Sequence, residues 1–198
     1  MKILLLAPQP FYQDRGTPIA VNLLLRVLSE RGEHVDVLTY HEGRDIKLKC
    51  VTLHRIANLA FIRNIRPGPS WKKVICDVLM FLKSAHLIRK NQYDLIFAVE
   101  ESVFIALVWK WICKIPYVYD MDSSLSQQII EKYRFLAPLT FLFKLFERLA
   151  VSNATGVAPV CDALTAIILM YKPKKVVVLQ DISILPESSV QKESEAAS

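Results

Sequence analysis

Several acidic and hydroxyl side chains stand directly after apolar runs of the sequence, where a parallel sheet would present them along one edge. They are Glu100, Glu101, Asp120, Asp122 and Ser123. A carboxylate at such an edge can accept a proton from a substrate or bind its hydroxyl groups, and acids from neighbouring strands would converge on one crevice. For Glu100 and Glu101, the alternative is that one of them only caps the helix that follows.

Gly16 and Thr17 precede an amphipathic segment, 20–28, and close a loop that also contains Arg15. The unpaired backbone N–H groups at the start of a helix attract phosphate or carboxylate, and a glycine there lets a ligand approach the backbone. The chain has no GxGxxG and no GxxxxGK[ST] motif, which argues against dinucleotide and P-loop sites. Gly16 is explained equally well as a turn glycine that shapes the helix entrance.

Apolar runs of strand length alternate with helical segments along the chain. This alternation predicts an α/β fold with a doubly wound, Rossmann-like parallel sheet and helices on both faces. The predicted strands are 3–7, 35–40, 51–56, 93–99, 116–120, 154–160 and 176–179, and the predicted helices are 18–31, 74–85, 103–113, 131–150 with a break near Pro138, and 163–170 with Asp162 as its cap. We expect one domain at 1–185 and a disordered polar tail at 186–198.

A strongly basic stretch lies between Arg44 and Gln92, where eleven Lys or Arg residues accompany only Asp45 and Asp77. Such a field attracts phosphorylated substrates or an anionic membrane surface. The alternative is that the stretch forms an ordinary solvated surface, on which the aliphatic parts of Lys and Arg cover apolar neighbours. Nucleic acid is not expected as a partner, because the stretch lacks the interleaved aromatic residues that stack on bases.

The sequence also argues against several kinds of site. Its four cysteines form no CxxC pair and its four histidines show no ligand spacing, so we expect a reducing cytoplasm, no protein-bound metal and no bound cofactor. Covalent hydrolysis finds no support, because there is no GxSxG motif and no Cys with a paired His. Integral membrane insertion is not expected, because no charge-free apolar run reaches the roughly 18 residues of a span. The segment 135–151 could lie in a membrane interface or be buried against the sheet.

Five segments carry a pattern that is shared with a known family. The first is PQPFYQDRGTPIAVNLLLRVLSERGEHVDVLTY, and the others follow in the order YDLIFAVEESVFIAL, KIPYVYDMDSSL, FERLAVSNATGVAPVCDAL and VVVLQDISILP. In this order and spacing they resemble the amino-terminal domain of family 4 glycosyltransferases, which are sugar transferases with two Rossmann-like domains (GT-B). The first segment is similar to that family's strand, glycine loop, long helix and GHxVxVxT strand, with Glu33 inserted before His34.

The resemblance implies that this half binds the acceptor, with Arg15, Gly16 and Thr17 lining a cleft near the phosphates of a nucleotide sugar. That nucleotide sugar would be a donor substrate and not a bound cofactor. The chain also departs from the family, whose members often have His at the positions of Phe97 and Asp122. A carboxyl group does not titrate in the range of an imidazole, although Asp122 can keep a polar role.

The candidate site therefore has two predicted groups of residues. The predicted catalytic residues are Glu100 and Asp122. The predicted substrate-binding residues are Arg15, Gly16, Thr17, Glu101, Asp120 and Ser123.

The predicted function is the acceptor-binding half of a glycosyltransferase that moves a hexose from a nucleotide sugar to a lipid-linked or polysaccharide acceptor. The family's donor-binding domain carries paired glutamates, and no such motif follows Leu185. We therefore expect the donor half to be missing, lost or supplied by another protein chain. Two alternatives stay open: a non-catalytic membrane-associated partner subunit, and a small phosphate-binding Rossmann protein. We expect a cytoplasmic location, peripheral on the inner face of the membrane.

Overall fold

The computed structural model describes residues 1–13, 16–59, 61–65, 70–124, 126, 128–129, 133 and 138–179. Strands and helices alternate along the chain. The strands are β1 (Lys2–Ala7), β2 (His34–Thr39), β3 (Val51–Arg55), β4 (Leu95–Val99), β5 (Tyr117–Met121) and β6 (Gly156–Pro159). The principal helices are α1 (Gly16–Glu30), α2 (Trp71–Lys90), α3 (Val103–Cys113), α4 (Thr140–Asn153) and α5 (Asp162–Leu169), and a 3-10 turn, Glu100–Ser102, links β4 to α3.

The strands form one sheet in the order β3-β2-β1-β4-β5-β6, and every neighbouring pair is parallel. The strand order reverses between β1 and β4. The loops that leave the carboxyl ends of these two strands therefore run in opposite directions and open a crevice, which is where open α/β sheets bind ligands. The predicted Rossmann-like parallel sheet is confirmed.

The sheet separates two hydrophobic cores. On one face, Leu5 of β1 packs with Val21 and Leu25 of α1. On the other face, Leu4 belongs to a larger core that includes side chains of α2, α3, α4 and α5. Both faces of β1 are covered, which explains why the sequence shows a continuous apolar run there and no alternation. Helices on both faces make the sheet doubly wound, as predicted.

The segment that connects β1 to α1 is held by groups from the strands beside it. Arg55, at the end of β3, donates from Nη1 to the carbonyl oxygens of Phe11 at 2.8 Å and of Glu42 at 2.9 Å. Gly43 has a φ of 117°, and a Cβ at this position would lie 2.2 Å from the Phe11 carbonyl oxygen, so glycine is required. These contacts fix the described part of the loop that leads to Gly16.

Two predicted elements at the end of the domain were wrong in detail. Asp162 is the first residue of α5 and does not cap it, because Cys161 occupies the N-cap position. A charge in the first turn still suits the helix dipole. The predicted strand 176–179 is reduced to an isolated bridge between Val176 and Val157, although Val177 N donates to Val157 O at 3.0 Å. This segment lies parallel to β6 at the edge of the sheet, with further backbone hydrogen bonds from Val157 N to Lys175 O and from Leu179 N to Pro159 O.

Some predictions lie outside the described residues. The tail 186–198 and the domain boundary before it are among them, and so is most of 131–137. The segment 135–151 is described from Pro138 onward, where α4 begins two residues later. Within the described residues, no helix combines the length and the apolar character needed to cross a membrane.

Candidate functional site

Three of the predicted site residues meet at the carboxyl edge of the sheet. The hydroxyl Oγ1 of Thr17 lies 2.6 Å from Oδ2 of Asp122 and 3.3 Å from Oε1 of Glu100. A threonine hydroxyl carries one proton, and the shorter distance indicates that it donates this proton to Asp122. The three side chains come from the start of α1, the turn after β4 and the loop after β5, so the strand order brings them together.

The turn after β4 directs Glu100 toward Thr17. Glu100 has a φ of 49°, a left-handed backbone conformation that residues other than glycine rarely adopt. Ser102 in the same turn is buried, and its Oγ lies 3.0 Å from the carbonyl oxygen of Leu6 and 2.8 Å from that of Val99. These hydrogen bonds connect the turn to the ends of β1 and β4 and stabilise the left-handed conformation of Glu100.

The surroundings of Glu100 favour its protonated form. Burial raises the pKa of Glu100 to about 8, and the charge of Glu101 beside it adds to the shift, while Lys73 opposes it. At neutral pH Glu100 is therefore mostly protonated and can donate a hydrogen bond, whereas Asp122 accepts one from Thr17. A proton donor and a proton acceptor on either side of one hydroxyl could pass a proton to or from a bound alcohol.

The raised pKa of Glu100 predicts a pH-dependent effect of the change Glu100→Gln. The folded state keeps the proton up to a pH of about 8, whereas an unfolded chain releases it near the ordinary value of 4.5. Between these values the folded protein binds more protons, so wild-type stability falls as pH rises and levels off above about 8. We expect Glu100→Gln to raise the free energy of unfolding by about 2 kcal/mol at pH 8.5 and to change it little at pH 4.5.

Urea denaturation of both proteins across this pH range measures the effect. Glu30→Gln, which removes the same charge from an exposed position at the end of α1, is the matched control. The free energy of unfolding of Glu30→Gln should differ from that of the wild type by the same amount at all pH values. The prediction is wrong if the difference between Glu100→Gln and the wild type is also independent of pH.

Glu101 faces a second buried cluster, which the sequence did not reveal. Its carboxylate forms an ion pair with Nζ of Lys73, and the two side chains are only 16% and 12% exposed. Asp77, one turn further along α2, accepts a hydrogen bond from Tyr40 Oη at 2.5 Å. Burial, followed by the charge of Glu101, raises the pKa of Asp77 to about 7. Glu101 was predicted as a substrate-binding residue. In the structure its carboxylate is paired with Lys73, and the substrate-binding role stays a prediction.

A buried carboxylate supports the loop after β5. Glu147 of α4 is 2% exposed and accepts hydrogen bonds from Ser124 Oγ at 2.9 Å and Ser126 Oγ at 3.0 Å. Tyr171 Oη lies 3.3 Å from the same carboxylate. Because Asp122 is two residues before Ser124, this cluster fixes the loop that carries it. No sequence pattern indicates this role, since Glu147 is the single acid in a largely apolar helix.

The other predicted site residues occupy several environments. Asp120 is 9% exposed at the end of β5, and Ser123 accepts a hydrogen bond from Gln128 Nε2 at 2.5 Å. Gly16 is the first residue of α1, and no described atom lies within 4 Å of where its Cβ would be. Among the described residues, nothing therefore requires glycine at this position. Arg15 lies outside the described residues, and the roles of all these residues stay predictions.

At one of the two positions where the family often has His, the structure places a core residue. Phe97 of β4 is 9% exposed and packs in the core beneath α1, so this position supplies no titratable group. At the other position Asp122 takes part in the contact with Thr17. Among the described residues, His, Cys, Asp and Glu form no group of three or more that could hold a metal ion.

No protein-family model matches the chain, and no curated protein matches it. Solved structures match over nearly its whole length. Sucrose-phosphate synthase from Thermosynechococcus elongatus is 15% identical with a TM-score of 0.63, over 98% of this chain and 52% of its own. WaaG, a glycosyltransferase involved in lipopolysaccharide biosynthesis, is 13% identical with a TM-score of 0.59, over 97% and 51%. A ugt transferase from Siraitia grosvenorii in complex with UDP is 12% identical with a TM-score of 0.56, over 99% and 55%.

The chain thus spans about half the length of these solved structures. At such low identity the likeness establishes the fold, and membership of family 4 stays a prediction. The parallel sheet, its strand order and the three matches agree with one another. The chain has the Rossmann-like fold of one half of a GT-B glycosyltransferase.

Proposed function

We propose that this chain is the acceptor-binding half of a glycosyltransferase that moves a hexose from a nucleotide sugar to a lipid-linked or polysaccharide acceptor. A donor-binding half, in the same or another chain, completes the cleft. The observation that carries the proposal is the placement of Thr17 between Glu100 and Asp122, at the sheet edge where α/β proteins bind ligands. The half-length match to structures of glycosyltransferases, one of them in complex with UDP, supports it.

In the proposed transfer, the acceptor hydroxyl enters between the two acids and attacks the anomeric carbon of the donor sugar. The bond from that carbon to the nucleoside diphosphate breaks, and its electron pair leaves with the diphosphate. The acceptor proton passes to Asp122 or to the deprotonated form of Glu100. The backbone N–H groups at the start of α1, near Gly16 and Thr17, stabilise the negative charge of the diphosphate.

Ligand binding by the isolated chain tests the proposal. Methyl β-D-glucoside should shift the backbone amide resonances of Thr17, Glu100 and Asp122 in ¹⁵N NMR titrations. The change Asp122→Asn should weaken this binding about tenfold, because a hydrogen bond to a charged group is lost. Asp162→Asn, which changes an exposed acid in the first turn of α5, is the matched control and should leave binding unchanged.

Two results would contradict the proposal. One is a methyl β-D-glucoside titration that leaves the resonances of the site unchanged. The other is tight binding of UDP-glucose by the isolated chain, which favours the small phosphate-binding Rossmann protein instead.

The outer face of α4 favours a second function, that of a non-catalytic subunit peripheral to the inner face of the membrane. Phe141 is 77% exposed and Phe146 is 46% exposed, and the exposed Lys144 and Arg148 lie on the same helix. Aromatic and basic residues together suit the interface of an anionic bilayer. Binding to phosphatidylglycerol vesicles that disappears at high salt, without any response to the glucoside, would select this function.

A further inference from the structure

A pocket of about 300 Å³ lies beside the candidate site, between the first halves of α2 and α3 and residues 128–129. Three of the residues that line it are charged, and we call this set the floor: Lys73, Asp77 and Glu101. Four others are apolar, and we call this set the wall: Val74, Phe104, Ile105 and Ile129. A larger pocket of about 470 Å³ opens at the opposite edge of the sheet, where the strands begin. The smaller one lies at the edge where open α/β sheets bind ligands.

Two contacts connect this pocket to the candidate site. Glu101 lines the pocket and follows Glu100 directly in the turn after β4. Gln128 also lines the pocket and donates from Nε2 to Ser123 Oγ at 2.5 Å, next to Asp122. A molecule bound in the pocket therefore places its nearer end beside the two acids and Thr17.

The apolar wall continues onto the protein surface. Val74 lines the pocket and is itself 62% exposed. It belongs to a row along the outer side of α2 whose members are all more than half exposed, namely Trp71, Val74, Val78 and Leu82. Their spacing of three, four and four residues puts them on one helix face. A contiguous exposed apolar surface of this kind marks an interaction site in a globular protein.

The floor of the pocket suits hydroxyl groups better than phosphate. Among the described residues that line the pocket, Lys73 is the only cation, and its charge is already paired with Glu101. Asp77, whose pKa burial raises to about 7, is partly ionised at neutral pH and to that extent repels an anion. Ser70 and Gln128 also line the pocket and offer neutral hydrogen-bonding groups. A ligand with a polar but uncharged end therefore meets a favourable floor.

We propose that this pocket holds the acceptor, and that the acceptor is a neutral amphiphile whose hydroxyl groups face the floor and whose apolar chain runs along the outer row of α2. This inference rests on the proposed function and narrows it. The acceptor is a molecule with an apolar chain, not a polysaccharide, and the part bound at the floor carries no phosphate.

Methyl NMR of the chain labelled at Ile, Leu and Val tests this assignment with three probes. They are octyl β-D-glucoside, methyl β-D-glucoside and octyl phosphate, each kept below its micelle concentration. Octyl glucoside should shift the methyl resonances of Val74, Ile105 and Ile129. It should bind about tenfold more tightly than methyl β-D-glucoside, because burying two methylene groups already contributes about that factor. It should also bind more tightly than octyl phosphate, whose charged head would face the acids Asp77 and Glu101.

Paired variants locate the binding. Val74→Asp should weaken the binding of octyl glucoside about tenfold, because a charge would stand against the apolar chain. Val27→Asp is the matched control, since Val27 is 53% exposed on α1, outside the pocket, and it should leave binding unchanged. Both positions are exposed, so both variants should fold, and circular dichroism verifies this.

Four outcomes would overturn the inference. Equal binding of octyl glucoside and methyl glucoside would show that the apolar chain does not contribute to binding. Equal or tighter binding of octyl phosphate would show that the pocket does not prefer a neutral head. Equal weakening by Val74→Asp and Val27→Asp would show that the pocket is not the binding site. Shifts confined to exposed side chains of α4 would point to a membrane surface. In all four cases a shift of the Thr17 amide resonance with methyl β-D-glucoside would still support the proposed function. Absence of that shift would contradict the proposed function and this inference together.

Discussion

Replacement of Lys73 by methionine is expected to lower the free energy of unfolding by about 4 kcal/mol, because it leaves a buried carboxylate without its partner. The ion pair between Lys73 and Glu101 is largely shielded from water, with side chains 12% and 16% exposed. Burial alone would lower the pKa of Lys73, but the charge of Glu101, the hydrogen bond to it and the acids nearby together outweigh burial, and the pKa is raised. Urea denaturation at pH 7, followed by circular dichroism, measures the loss.

The neighbouring residue provides a matched control for this change. Lys72 donates from Nζ to the carbonyl oxygen of Arg63 in an exposed contact, so Lys72→Met should change stability by no more than about 0.5 kcal/mol. The double change Lys73→Met with Glu101→Leu removes both charges and should recover most of the loss. Equal losses for Lys73→Met and Lys72→Met would show that the pair is not buried in solution.

The change Glu147→Ala is expected to destabilise the protein by about 3 kcal/mol, since buried hydroxyl groups lose their acceptor and a cavity forms. Ser124, Ser126 and Tyr171 all lie within hydrogen-bonding distance of this carboxylate. The loop after β5 should loosen as well. Chemical denaturation gives the first effect, and faster amide hydrogen exchange at Asp122 and Ser124 gives the second.

Two further variants separate the hydrogen bonds from the loss of volume. Glu147→Gln keeps an acceptor oxygen and should cost only about 1 kcal/mol. Phe146→Ala removes a larger side chain from a 46% exposed position beside it and should cost about 1 kcal/mol or less. A loss for Glu147→Ala no greater than that for Phe146→Ala would mean that the hydroxyl cluster does not support the loop.

The fold could be predicted from the sequence because its main signals are local. A strand covered on both faces needs apolar residues at consecutive positions, as β1 has from Ile3 to Ala7. The apolar helix predicted from Val103 to Cys113 has these ends in the structure, where Lys114 turns left-handed and ends it. Where the local signal was ambiguous the prediction failed, as at Asp162, whose charge suits both a cap and a first turn.

The candidate site could be predicted only in part. Which side chains touch depends on the order of the strands in the sheet, and local sequence patterns do not specify that order. Glu100 and Asp122 were expected to converge at the ends of neighbouring strands, and the structure brings both to Thr17. The partner of Glu101 could not be predicted, because nothing in the basic stretch indicates which of its eleven cations turns inward. One local signal existed: Lys73 and Asp77 stand four residues apart and share a face of α2.

The left-handed turn at Glu100 places two consecutive acids in electrostatic contact, one facing Thr17 and one facing the pocket. The charge of Glu101 raises the pKa of Glu100, so a ligand group that neutralises Glu101 lowers that pKa. A ligand that strips water from the turn without compensating the charge raises it. The fraction of Glu100 that is ready to accept a proton thus depends on what occupies the neighbouring pocket. The candidate site and the pocket are thus coupled through charge and hydration at this turn.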